Sequence, residues 1–129
     1  MKKFDAFSAA CPAREILASV ANKWTVLVLS VLTEGTTRFN ALRRRVQGVT
    51  QKALTQTLRD LERLGLVSRE VYAEVPPRVE YTLTPLGHSL VKVLDDIKEW
   101  TERHAPDVLQ AQQRFDRQEA AKIARARAR

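Results

Sequence analysis

Five polar side chains, Gln51, Lys52, Thr55, Gln56 and Arg59, fall within nine residues of a segment whose leucines are spaced for a helix. Leu54, Leu58, Leu61 and Leu64 recur at i, i+4, i+7 and i+10, which puts them on one face and the polar set opposite. Glutamine can pair bidentately with adenine and lysine with guanine, while threonine offers a methyl to thymine. These residues occupy the first turns of the helix, the end from which base edges are read. Arg59, further along, suits a phosphate. Any amphipathic surface helix also shows polar residues opposite its leucines, so the neighbouring elements must decide what the face is for.

The second chemical candidate is Cys11, the only cysteine. It directly precedes Pro12, a residue suited to the first position of a helix, where the positive end of the dipole favours a thiolate. Lys2, Lys3 and Arg14 add positive charge nearby. Such a thiol can respond by alkylation, mixed disulfide or an intersubunit disulfide. The alternative is a small residue packing under the first helix.

Other chemistries find little support. One cysteine excludes an intrachain disulfide, and two histidines make a structural zinc site a poor fit. The four glycines form neither a dinucleotide fingerprint nor a P-loop. Without a nucleophile–base arrangement either, the expectation is no enzyme, no metal and no cofactor. The amino terminus lacks the apolar run of a secretory signal, and no window approaches the roughly 18 apolar residues of a membrane span. The chain is expected to be cytoplasmic, with no membrane partner.

The 129 residues are 44% hydrophobic and 29% charged, enough apolar content for one domain with an arm. The formal charge is +7, and it is unevenly placed. Residues 38–69 hold eight basic groups against two acidic, whereas residues 70–115 hold five against eight. Residues 116–129 add five basic and two acidic. Most charge runs are solvated helical faces, but a concentrated basic stretch also suits a polyanion.

A coarse reading gives the elements that must position these residues. Pro12 opens a helix carrying Ile16, Leu17 and Val20, and Trp24–Leu32 reads as a buried helix stopped by Gly35 in a left-handed cap. A short helix spans about Arg38 to Val46. Thr50 caps the polar-faced helix, which Gly65 closes with Leu66 in a Schellman arrangement. Val67–Ala73 and Arg78–Leu83 form a hairpin with a Pro76-Pro77 tip. Thr84-Pro85 starts a long helix that Pro106 is expected to break or kink. The final IARARAR carries too little apolar surface to order itself alone, and serves as a flexible arm or a helical extension.

Helix, helix, short helix, helix, hairpin and long helix is the order of a winged helix-turn-helix. The fold class is mainly α with a small β-hairpin (α+β). Residues 1–10 form an arm, 11–105 the winged domain with its dimerisation helix, and 106–129 a helical extension and basic tail. Arg38, at the start of the short helix, either holds a phosphate with free backbone N–H groups or sits on a solvated terminus. Arg43, Arg44 and Arg45 are too adjacent to share one face. Arg78, beside the tip, either touches the DNA backbone or minor groove or pairs with a hairpin glutamate.

A winged domain reads few base pairs, so specificity requires two copies about one helical turn, roughly 34 Å, apart. Leu90, Val93, Leu94, Ile97 and Trp100 form an apolar stripe on the long helix. Part of it covers the domain's own core. The remainder, with the first helix, Val108 and Leu109, is expected to form a homodimer interface.

The ordered set of segments resembles the HxlR-type winged helix-turn-helix transcriptional regulators of bacteria. The carriers are Cys11-Pro12, Asn22-Lys23-Trp24, Arg38-Phe39-Asn40-Ala41-Leu42, Thr50-Gln51-Lys52-Ala53-Leu54-Thr55, Leu58-Arg59-Asp60-Leu61-Glu62, Gly65-Leu66-Val67, Glu74 to Tyr81, and Leu83-Thr84-Pro85-Leu86-Gly87. They are collinear over residues 11 to 101. The resemblance implies a dimeric regulator on a pseudo-palindromic operator in double-stranded DNA, with the recognition helix in the major groove and the wing on the flanking duplex. It also implies a possible oxidant, electrophile or small-molecule effector, since some relatives sense through a cysteine at the place of Cys11. Two departures are mild: Asn22 stands where the family often has glycine, and asparagine tolerates a left-handed backbone; Thr50 stands where it often has serine, and threonine also caps. The rival from another class is a non-specific architectural protein, with Arg38, Lys52, Arg59 and the tail binding phosphates on any sequence. Repressor and activator are not distinguished by the sequence.

Overall fold

The computed structural model describes residues 4–129. Eight elements follow in order: α1 (Pro12–Val20), α2 (Lys23–Leu32), β1 (Thr37–Arg38), α3 (Phe39–Arg45), α4 (Gln51–Arg63), β2 (Val67–Tyr72), β3 (Arg78–Leu83) and α5 (Pro85–Arg127). They make a winged helix-turn-helix, mainly helical with a small antiparallel sheet. The chain divides into two compact units, Met1–Asp95 and Asp96–Arg129, the boundary falling inside α5.

Local sequence chemistry accounts for most boundaries in the first unit. Cys11 is the N-cap of α1 with proline at its start. Asn22 does not use a left-handed backbone: its φ is −128°, and its side chain caps α2 by accepting the Trp24 N–H at 2.8 Å. Asparagine is a strong N-cap, which is why it serves here. Gly35 has a positive φ of +134°, but α2 already ends at Leu32 with Thr33 as its cap. The Schellman closure of α4 forms as its sequence demands. Gly65 takes φ +77°, the Leu66 N–H donates to the Leu61 carbonyl at 2.9 Å, and the Gly65 N–H donates to Glu62 at 3.0 Å.

The core joins four helices to the sheet. Val28, Leu29 and Leu32 of α2 pack with Leu42 of α3 and with Leu54, Leu58 and Leu61 of α4. Leu66, Val67, Tyr81, Leu83, Val91 and Leu94 close the other side. Gly87 lets the start of α5 approach this core, since a Cβ there would overlap the Leu66 carbonyl oxygen.

Two expectations about the long helix change. Leu94 is 4% exposed within the first unit, so it is a core residue and not one a second copy can reach. Leu90 is partly buried against the same core. Helical periodicity finds an apolar stripe but not the element that covers it; here Val91 and Leu94 turn inward, while Val93, Ile97 and Trp100 remain more than half exposed. Pro106 lies in the interior of α5 and does not end it, and the helix continues through the tail to Arg127. The tail's alanines and arginines have high helix propensity, and Lys122 pairs with Glu119 along the helix at 3.4 Å.

The hairpin gains a strand that the sequence did not announce. β1 pairs antiparallel with β3, giving the order β1-β3-β2, with Arg38 opposite Glu80. Across the other edge, β2 sets Glu70 opposite Glu80 and Tyr72 opposite Arg78.

No single described helix is long and apolar enough to cross a membrane. α1 and α2 reach that length and composition only together, and they bend by 71° at their junction, with α2 supplying the core.

Candidate nucleic-acid interface

α4 is positioned by its buried face. Leu54, Leu58 and Leu61 are at most 1% exposed, which fixes the helix's rotation about its axis. The opposite face is then obliged to meet solvent, and Gln51, Lys52, Thr55, Gln56 and Arg59 are all exposed on it. Thr50 fixes the start of the helix: its hydroxyl accepts the Ala53 N–H at 3.0 Å. Gln56 is the one member of the set with a committed partner, its Nε2 donating to Asp60 at 2.9 Å. The other four have no hydrogen-bond or ion-pair partner among the described residues.

The basic residues around this helix are less free than their number suggests. Arg45 grips Glu34 with two hydrogen bonds, at 2.6 and 3.3 Å. That bond holds the Glu34 carboxyl below its ordinary range and raises the Arg45 guanidinium. Arg69 pairs with Glu62 at 3.2 Å. Arg43, Arg44, Lys52 and Arg59 remain exposed, without an acidic partner among the described residues.

The hairpin holds its charges in a connected set. Arg78 has Glu74 at 3.3 Å and Glu80 at 3.7 Å, and its guanidinium lies 3.9 Å above the Tyr72 ring. Glu80 is also 3.7 Å from Arg38. Burial, with the Glu70 and Glu80 carboxylates close by, raises the Tyr72 phenol. Arg38 is the N-cap residue of α3 but makes no side-chain cap, leaving its side chain to the sheet and solvent. A cleft of 590 Å³ separates the start of α3 from the hairpin tip, with Arg38, Arg44, Pro76 and Arg78 on its walls.

The hairpin glutamate that the sequence offered as a partner for Arg78 is there twice, as Glu74 and Glu80, whereas the sharing of Glu80 with Arg38 and the Tyr72 ring under the guanidinium were missed. The alternation Arg78-x-Glu80 places both charges on one side of a strand, a signal that was present. The Arg38–Glu80 pair required β1, which is too short to announce itself.

Cys11 is partly exposed, and its Sγ accepts the Asp5 N–H at 3.1 Å. Arg14, in the first turn of α1, is exposed, while Lys2 and Lys3 lie outside the described residues. Ile16 and Leu17 on α1 are 46% and 54% exposed. On α5, Val93, Ile97, Trp100 and Leu109 are between 51% and 56% exposed and Val108 is 41% exposed.

A capped helix with an exposed polar face, standing between a short basic helix and a hairpin, is the arrangement of a DNA-binding module. Residues 19–108 match the HxlR-like helix-turn-helix family. The chain belongs to that family. Among HxlR-like relatives, the HTH-type transcriptional regulator YtfH of Escherichia coli is 44% identical over 109 residues, 84% of this chain and 86% of that protein. The solved structure of ytfH from Salmonella typhimurium superposes with a TM-score of 0.82 at 41% identity, covering 86% of this chain and 99% of that one. The redox regulator HypR in its reduced form has a TM-score of 0.67 at 41% identity, covering 78% and 98%. The chain is thus an HxlR-like, DNA-binding transcriptional regulator.

Proposed function

We propose that this HxlR-like chain is a sequence-specific regulator that binds a pseudo-palindromic operator as a homodimer. The observation that carries the reading is the exposed face at the start of α4, where Gln51, Lys52 and Thr55 stand over a buried leucine stripe without a partner among the described residues. α4 enters the major groove from its capped end, Gln51, Lys52, Thr55 and Gln56 meet base edges, and Thr50 and Arg59 meet the backbone. Gln56 releases Asp60 to do so. Arg38 and Arg78 contact phosphates beside the major-groove site, with Arg78 carried by the wing. The winged domain with its dimerisation helix spans 11–105, and residues 106–129 form its helical extension. The exposed apolar residues Ile16 and Leu17 of α1, and Val93, Ile97, Trp100, Val108 and Leu109 of α5, form the surface between two copies. Acting on the chromosome requires no membrane association.

Cys11 supplies the switch in this reading. It is partly exposed at the start of a helix, and the relative HypR is a redox regulator in both an oxidised and a reduced form. Oxidants or electrophiles that modify the Cys11 thiol then alter operator affinity.

The test is affinity for the duplex upstream of the protein's own gene against random duplex at fixed salt, for wild type and Cys11→Ala, before and after diamide. Specific binding that Cys11→Ala renders insensitive to diamide is the expected result. Equal affinity for both duplexes would favour the architectural alternative. A wild-type affinity unmoved by diamide would remove the switch alone, and a monomer by light scattering at micromolar concentration would remove the dimer.

A further inference from the structure

We propose that Glu80 is an affinity-setting residue, a built-in competitor that DNA phosphates must displace from Arg38 and Arg78. The proposal rests on the reading of those two arginines as phosphate contacts. Strand register places Arg38 directly opposite Glu80, and Arg78 two residues along the same strand, so the three side chains leave one face of the sheet. A single carboxylate oxygen, Glu80 Oε2, lies 3.7 Å from the Nε of both arginines. Neither distance is a hydrogen bond. The carboxylate therefore holds both cations by charge alone. Arg78 shows how incomplete the arrangement is, because its Nε is shielded from solvent yet has no hydrogen-bond partner among the described residues.

A phosphodiester entering the cleft beside Arg38, Arg44 and Arg78 offers charge-assisted bonds at about 2.7–2.9 Å and displaces so loose a partner. Displacement leaves the Glu80 carboxylate beside an anion and without its cations. That cost is the same for every DNA sequence, since it arises at the backbone. The rest of the face does not relieve it: Glu70 lies directly opposite Glu80, so a second carboxylate faces the same place. Arg78, by contrast, keeps its seat on Tyr72 and its pair with Glu74 when Glu80 is removed. Glu80 thus lowers affinity uniformly more than it organises the arginines.

The measurement is DNA affinity against salt for the full chain, on random duplex and on the duplex upstream of its own gene. Glu80→Gln is expected to tighten binding to both by a similar factor, about three- to tenfold, the scale of one or two weak ion pairs. Its salt dependence should steepen by about one to two phosphate contacts. Both changes should vanish in an Arg38→Ala/Arg78→Ala background, an outcome a merely structural role would not produce. Glu70→Gln, which removes a charge paired with neither arginine, should have a smaller effect. Unchanged or weaker binding by folded Glu80→Gln overturns the proposal, as does a gain that survives loss of both arginines. If Glu80→Gln does not fold, Glu80→Asp draws the charge back by one methylene and should show a smaller gain of the same sign; no gain overturns the proposal. If Arg38→Ala and Arg78→Ala each leave affinity unchanged, the phosphate-contact reading fails and the proposal with it. If they weaken binding while Glu80→Gln is neutral, only the proposal fails.

Discussion

α4 and the hairpin carry polar groups at similar density, but they keep them differently. On α4 the apolar face is consumed by the core and most of the opposite face has no partner among the described residues, so Gln51, Lys52, Thr55 and Arg59 are available to a ligand. On the hairpin almost every charge is already answered: Arg78 by Glu74 and Glu80, Arg38 by Glu80, and Arg69 by Glu62. Formal charge therefore overstates what a partner can use. A helix seated on leucines exposes its polar side chains because one face has no room for them. A sheet sets side chains opposite one another at fixed register, which puts Arg38 beside Glu80, while Arg69 and Arg78 reach Glu62 and Glu74 beyond the strands.

The difference can be broken most severely through the platform under α4. Leu58→Ala empties a fully packed position and should destabilise the domain by about 2–5 kcal/mol, read as a lower melting temperature; α4 would then lose its fixed face. Next come the free side chains themselves. Gln51→Ala or Lys52→Ala should lose about 1–3 kcal/mol of operator discrimination in competition binding while leaving stability unchanged. Arg38→Ala should instead weaken binding to all duplexes alike. Thr50→Ala removes the cap at the start of α4 and should cost about 1 kcal/mol in denaturant unfolding. The mildest probe is Arg45→Ala. The Glu34 carboxyl is held below its usual range in the folded chain, so its pairing contributes above the unfolded-state pKa and is lost as pH falls through the folded value. Without Arg45, Glu34 should titrate as an ordinary carboxylate by NMR.

What was legible in the sequence follows from distance along the chain. Caps are local, so Cys11-Pro12, Thr50, Gly65-Leu66 and Thr84-Pro85 announced the helices they bound. The polar face of α4 was equally visible, since helical spacing alone separates it from the leucines. β1 was not, because two residues carry no period and their strand character comes from pairing with β3, more than forty residues away. Which residues of the Leu90–Trp100 stripe belong to the core was hidden for the same reason: the stripe is local, but what covers Leu94 is not. At Pro106 the local rule proved too strong for a break: a proline costs roughly 3 kcal/mol inside a helix, yet α5 runs on through it to Arg127. Arg78 was seen as a candidate, while the Glu80 carboxylate shared between it and Arg38 needed the third strand.

Thr84 has a mechanical consequence. Its hydroxyl donates to the Gly65 carbonyl at 2.6 Å and accepts the Gly87 N–H at 3.0 Å, while its own N–H donates to Leu66 at 3.1 Å. One residue thus rivets the closing turn of α4 to the opening turn of α5, at a point where Gly87 leaves no slack for a side chain. Three hydrogen bonds at one residue make a weld rather than a hinge, so a twist of the first turn of α5 should be passed on to the end of α4.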